Sequence, residues 1–260
     1  MHRNQAELVL AELLELAPSG VEEVEVSPDV IEYAVYGAPG ELPALPDLKA
    51  AAGGAYVDVS TQEIADDWSE RWRSFHRPLV IDDRLTVRPP WEPPAQAGLD
   101  VVIDPGQAFG TGAHATTHLC LELLLSETGR GSCVDLGCGS GVLAIVAARL
   151  GWDPVTALDY DPAATAATGE NAQRNGVTLT VSDFDMRQAQ VPPADLVLAN
   201  VLAGPLIAWA QSQRELAPRL ILSGLLATEA DRVAEAFAQR GRHERDRRRR
   251  GDWAALVLSA

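Results

Sequence analysis

The residues best suited to chemistry form one run, Val134-Asp135-Leu136-Gly137-Cys138-Gly139-Ser140-Gly141-Val142-Leu143. The pattern predicts an apolar strand ending in a carboxylate, a turn of three glycines and an apolar helix. Glycine allows the backbone to turn sharply and to approach a ligand with no Cβ in the way. A dinucleotide is disfavoured by the spacing. After Gly137 and Gly139 the third glycine is Gly141, whereas the dinucleotide fingerprint wants it one position later, where Val142 stands. Asp135, Gly137 and Gly139 are therefore candidate ligand-binding residues. Asp159 closes a second predicted strand, where a carboxylate can accept hydrogen bonds from both ribose hydroxyls of a nucleoside. Asp161 reads as the N-cap of the next helix, with Pro162 at its first position. Asp183, with Asp185 as its competitor, follows a third strand and would lie near an adenine.

Two further segments belong with these. Asp104-Pro105-Gly106-Gln107-Ala108-Phe109-Gly110-Thr111-Gly112-Ala113-His114-Ala115-Thr116-Thr117 is a glycine- and threonine-rich loop leading into a helix. Its backbone amides and the hydroxyls of Thr111, Thr116 and Thr117 can fold over a ligand near Gly110, and Phe109 can pack on it. His114 has no visible orienting partner and reads as structural rather than as a general base. Asn200 closes a fourth strand at the carboxyl edge, where ligands bind in open α/β sheets. Its neutral amide suits an amine nucleophile, because the oxygen accepts an N–H bond and directs the nitrogen lone pair. A carboxylate would hold the amine as ammonium. The segment Asn200-Val201-Leu202-Ala203 departs from the aromatic N-P-P-[YF] motif, which weakens amide and nucleobase substrates. D-x-G-x-G-x-G at a first strand–helix turn is the pattern of enzymes that use S-adenosylmethionine as methyl donor.

The elements that must position these residues alternate from Leu99 onward, as in a mostly parallel sheet with crossover helices. Strands are predicted at 132–136, 155–159, 178–182, 196–200, 219–224 and 254–259, and helices at 116–126, 141–150, 162–175, 204–216 and 227–239. The run from Arg245 to Gly251 reads as a solvated loop. Residues 1–60 read as a small α+β unit, with helices at 6–17 and 47–52 and strands at 21–26, 30–36 and 55–59. Residues 61–98 read as a connector: a helix at 64–76 with Ile64, Trp68, Trp72 and Phe75 on one face, then the tract Pro89-Pro90-Trp91-Glu92-Pro93-Pro94, extended and outside the central sheet. Residues 99–260 would be the ligand-binding domain.

Composition narrows the classes. A chain of 260 residues with 47% hydrophobic and 22% charged residues can bury a large core. A net charge of −16 makes direct nucleic-acid binding unexpected and a basic partner easier to accommodate. Residues 1–60 carry eleven carboxylates against Arg3 and Lys49 alone, a candidate docking surface for a cationic protein. Three cysteines without a C-x-x-C pair fit a reducing compartment and no metal is expected. No run approaches roughly 18 uninterrupted apolar residues, and Glu7, Glu12 and Glu15 interrupt the first one. A cytoplasmic protein, neither exported nor inserted in a membrane, is expected.

Taken together the motifs resemble those of the PrmA family, bacterial methyltransferases of ribosomal protein eleven of the large subunit. The resemblance runs from about Ser60 onward. It is carried by D-x-x-W-x-x-x-W-R from Asp66, D-P-G-x-A-F-G-T-G-x-H-x-T-T from Asp104, D-L-G-C-G-S-G-V-L-A-I from Asp135, D-x-D-P from Asp159, A-x-x-N-A-x-R-N-G-V through Asn171 and Asn175, and A-N-V-L-A-G-P from Ala199. It implies a Rossmann-like class I S-adenosylmethionine-dependent methyltransferase domain, joined by a linker helix to a small N-terminal α+β (ferredoxin-like) domain that recognises substrate. It also implies that Thr117, Gly137, Asp159 and Asn200 contact the methyl donor, with the Phe109 loop over it. The reaction implied is methylation of lysine ε-amines and the N-terminal α-amine of a basic ribosomal protein. Members begin with a strand before the first helix, and here only Met1 to Gln5 precede it, so either that strand is missing or the start codon is set too late. Two alternatives remain: a methyltransferase of the same fold for another basic protein or small amine, and a non-catalytic factor of ribosome assembly.

Overall fold

The computed structural model describes residues 22–27, 30–34, 77–105, 114–128 and 130–260. The chain divides into two compact units, Met1–Trp68 and Ser69–Ala260. In the first, β1 (Glu22–Ser27) and β2 (Val30–Ala34) pair antiparallel as a hairpin. The helices expected at 6–17, 47–52 and 64–76, and the strand at 55–59, lie outside the described residues.

The second unit is built on a seven-stranded sheet. Its strands are β6 (Cys133–Leu136), β7 (Val155–Asp159), β8 (Thr180–Asp183), β9 (Leu196–Asn200), β10 (Arg219–Leu226), β11 (His243–Arg250) and β12 (Trp253–Ser259), in the order β11-β12-β10-β9-β6-β7-β8. The five strands from β10 to β8 run parallel, and β12 lies antiparallel to both β10 and β11. From β6 the chain winds outward to β7 and β8, then returns to place β9 on the other side of β6. That reversal opens a crevice at the carboxyl ends of β6 and β9, the general place for a ligand in an open α/β sheet.

Five helices cover the sheet: α1 (Ala115–Ser126), α2 (Val142–Arg149), α3 (Pro162–Arg174), α4 (Ala203–Ser212) and α5 (Ala230–Ala238). The alternation along β9 shows why its sequence is apolar throughout. Leu196 and Leu198 join the layer of Leu119, Leu123 and Ile145 from α1 and α2, while Val197 and Ala199 join Leu206, Trp209 and Phe237 from α4 and α5. A strand buried on both faces has no polar side to display. Among the described residues no helix is long and apolar enough to cross a membrane.

Two expectations are corrected. Part of the stretch read as a connector folds into a second sheet, formed by β3 (Leu79–Ile81), β4 (Leu85–Arg88) and β5 (Leu99–Val102) in that order. Ile81, Leu85, Val87 and Val101 are buried in the same core as α1 and α2, so these strands are built into the second unit. Their alternating apolar residues are few, and only tertiary burial reveals them. The proline tract after β4 turns rather than extends, with Glu92 N–H donating to Pro89 O at 3.2 Å. The arginine-rich run is the second correction: it is β11, an edge strand, not a loop. Charge on an edge strand discourages pairing with another chain. Much of that charge is balanced, Arg247 by Glu244 and Asp231, and Arg248 by Glu122 and Asp246.

Candidate active site

The glycine turn sits at the carboxyl end of β6, and Gly137, Gly139 and Gly141 all have left-handed backbone (φ 79°, 54° and 82°). The turn is laid across the neighbouring strand: the N–H groups of Gly137 and Cys138 both donate to Leu158 O, at 2.7 and 3.0 Å. A Cβ on Gly137 would fall 2.6 Å from Val201 Cγ1, and one on Gly141 would fall 2.9 Å from the Thr168 side chain. Space and backbone conformation together therefore require glycine at both positions.

Asp159 is oriented by this turn. Its Oδ2 accepts from Gly139 N–H at 2.9 Å and its Oδ1 from Asp161 N–H at 3.1 Å. Each oxygen keeps a lone pair for a donor of a ligand such as a ribose hydroxyl. Asp161 is the N-cap of α3, its side chain accepting from Ala163 N–H at 2.9 Å, with Pro162 at the first helical position. On the next strand Asp183 is exposed and accepts from Thr165 Oγ1 at 2.7 Å. Asp185, by contrast, is held by Arg187 and Gln188, which keep its carboxyl well below the usual carboxylate range. Of the two, Asp183 stands at the strand end with the site.

Asn200 ends β9 across the crevice, and its Nδ2 donates to Thr117 Oγ1 of α1 at 3.2 Å. Among the described residues its Oδ1 is buried without a hydrogen-bond partner. An orphaned buried acceptor costs free energy comparable to a lost hydrogen bond, unless a ligand supplies the donor. Gly137, Gly139 and Asp159 thus form one linked group and Thr117 and Asn200 another. Phe109, Gly110 and Thr111 lie outside the described residues. His114 is the N-cap of α1, with its ring edge-on to Trp253 at 4.8 Å, and burial lowers its pKa. These contacts give it a structural task.

Asp135 lies beneath the turn with its side chain enclosed. Its Oδ2 accepts from Ala144 N–H at 3.0 Å, capping the first turn of α2 from a neighbouring strand, because Gly141 offers no side chain to do so. Oδ1 has no partner. Burial pushes the carboxyl up to about 7, the charge of Asp159 adding to the effect. The folded state therefore holds this proton more tightly than the unfolded chain, whose aspartates titrate near 3.9. The group's contribution to stability is whole below about pH 4 and declines as pH rises toward about 7. Asp135→Asn should remove that decline. Thermal denaturation of both proteins from about pH 4.5 to 8 checks this, and a difference in Tm that does not change with pH refutes it.

Sequence reasoning passed over Thr168 and the individual roles of Asn171 and Asn175, which hold the turn and its surroundings through side-chain hydrogen bonds. The signal was present as polar residues at helical spacing on the sheet side of α3.

The family model for ribosomal protein L11 methyltransferase (PrmA) matches residues 44–260. The chain belongs to the PrmA family. A ribosomal protein L11 methyltransferase from Sodalis glossinidius (strain morsitans) is 42% identical over 199 residues, covering 71% of this chain and 66% of its own. Its counterpart from Actinobacillus pleuropneumoniae serotype 3 (strain JL03) is 43% identical over 192 residues, covering 68% and 63%. The chain thus spans slightly less than two thirds of the length of these PrmA relatives. The crystal structure of a ribosomal protein L11 methylase from Lactobacillus delbrueckii subsp. bulgaricus matches with a TM-score of 0.64 and 26% identity, covering 71% of this chain and 98% of that one. The α/β unit of this PrmA member is a Rossmann-like class I methyltransferase fold.

Proposed function

We propose that this PrmA member is an S-adenosylmethionine-dependent protein N-methyltransferase whose substrate is ribosomal protein L11, modified at lysine ε-amines and the N-terminal α-amine. The observation that carries the reading is the buried, unpartnered Oδ1 of Asn200 at the crevice beside the glycine turn. Gly137, Gly139 and Asp159, with Thr117 and the Phe109-Gly110-Thr111 segment, would hold the donor. When bound, S-adenosylmethionine supplies an electrophilic methyl on a sulfonium. Asn200 accepts an N–H of the incoming amine and aims its lone pair. Its neutrality leaves the amine free to deprotonate. Positioning supplies most of the rate, and no protein base is invoked.

The proposed workplace is the cytoplasm, supported by three buried free thiols. The family match begins at residue 44, which favours a second reading in which the fold methylates another basic protein or a small amine. Radiolabelled methyl transfer into ribosomal proteins that lack the modification, with the labelled product identified, separates the two. Label in L11 at amine nitrogens supports the proposal. Label elsewhere supports the second reading, and no transfer despite donor binding points to the non-catalytic alternative.

A further inference from the structure

The buried side of α3 carries two polar residues beside Ala164 and Ala172, where apolar packing would be ordinary. Thr168 and Asn171 are among its buried residues, with relative exposures of 0% and 1%. Residues 168, 171 and 175 share one helical face by their spacing. Thr168 Oγ1 donates to Gly139 O at 3.0 Å. Asn171 Nδ2 donates to Ser140 O at 3.0 Å, while its Oδ1 accepts from Asp104 N–H at 3.0 Å. Asn175 Oδ1 accepts from Val102 N–H at 2.8 Å and its Nδ2 donates to Val102 O at 2.6 Å. Its carboxamide thus satisfies the outer edge of β5 as a neighbouring strand's peptide would. Arg174 adds an ion pair to Asp104 at 3.2 Å.

One helix face therefore ties the glycine turn to residues 102–104 through oriented hydrogen bonds. Apolar contacts fix separation loosely, whereas a carboxamide that donates to one segment and accepts from the other fixes both distance and orientation. We infer that Asn171 is a positioning residue for the methyl donor, holding the glycine turn in its ligand-ready form by clamping Ser140 to Asp104. The inference rests on the reading of that turn as the donor cradle. A preformed cradle lowers the ordering cost of binding, so loss of the clamp falls on donor affinity rather than on the chemical step.

The test uses the full chain with S-adenosylhomocysteine as calorimetric probe and steady-state kinetics with the donor. Asn171→Asp keeps the shape and the acceptor for Asp104 N–H but turns a carboxylate oxygen toward the Ser140 carbonyl. It should weaken probe binding and raise donor KM by about tenfold or more, with kcat at saturating donor within about threefold of wild type. Thr168→Val, nearly isosteric, removes the donor to Gly139 O and should act in the same direction, which serves if Asn171→Asp does not fold. Phe237→Leu, in the core on the opposite side of the sheet, should lower Tm without moving probe affinity. Folded Asn171→Asp or Thr168→Val that binds the probe as wild type does overturns the inference. So does a loss matched by Phe237→Leu at equal Tm. A wild-type chain that does not bind the probe overturns the functional reading itself, and the inference with it.

Discussion

Replacing Asn200 with alanine should lower kcat by about two orders of magnitude while changing donor affinity by less than about tenfold. Removing one preorganised hydrogen-bonding group at a reacting centre costs about 2.7–4 kcal/mol in the transition state. The structure gives a reason to expect the full cost. The amide is pinned by its bond to Thr117, so its free oxygen has a fixed direction. Asn200→Asp separates geometry from charge: the shape remains, yet a carboxylate binds the ammonium form of the amine. Its rate should require higher pH than the wild type, whose own rate should rise through neutrality if, as proposed, a lysine near pKa 10.4 must lose a proton. Steady-state rates between about pH 6.5 and 9.5, with donor binding measured in parallel, decide the matter. Equal loss of affinity and turnover in Asn200→Ala would reduce the residue to a donor contact.

How far such a site can be read from the chain depends on whether its features are local. The turn from Asp135 to Val142 was legible because left-handed glycines and a strand end are encoded within a few residues, and the same holds for the cap Asp161-Pro162. Asn200 was legible because a polar residue closing an apolar run marks a strand end. The threonine that orients it is 83 residues away, and only the sheet topology joins the two. Asp135 looked like a ligand contact because it opens the motif, yet its carboxylate points beneath the turn to cap α2. Alternation does not record which side of a turn faces the ligand. The edge strand β11 was hidden for another reason. Charged side chains alternate onto both its faces, so the period-2 apolar signal that reveals a strand was never written there. Strands β3 and β4 were missed because each is three or four residues long and bordered by turn residues.

The second large effect is expected at Asp159, and its origin is double. Asp159→Ala should weaken donor binding by about a hundredfold, more than the loss of any neutral contact in the cradle. On the proposed reading it deletes acceptors for the donor's hydroxyls, and charge-assisted hydrogen bonds are roughly twice as strong as neutral ones. It also leaves the Gly139 and Asp161 N–H groups without the carboxylate that now receives them, so the cradle loses part of its own support. The two causes separate in Asp159→Asn. An amide of the same shape can still accept from one N–H, but its NH2 is turned against the other. It should bind the donor more weakly than wild type and more tightly than alanine does. Calorimetry with S-adenosylhomocysteine and with free adenosine reads the two contributions: if the carboxylate holds the nucleoside, both probes lose affinity by a similar factor. Were only the full donor product affected, Asp159 would be acting through the turn that Gly139 anchors, and the nucleoside would have to be held by some other residue at the carboxyl edge of β7 and β8.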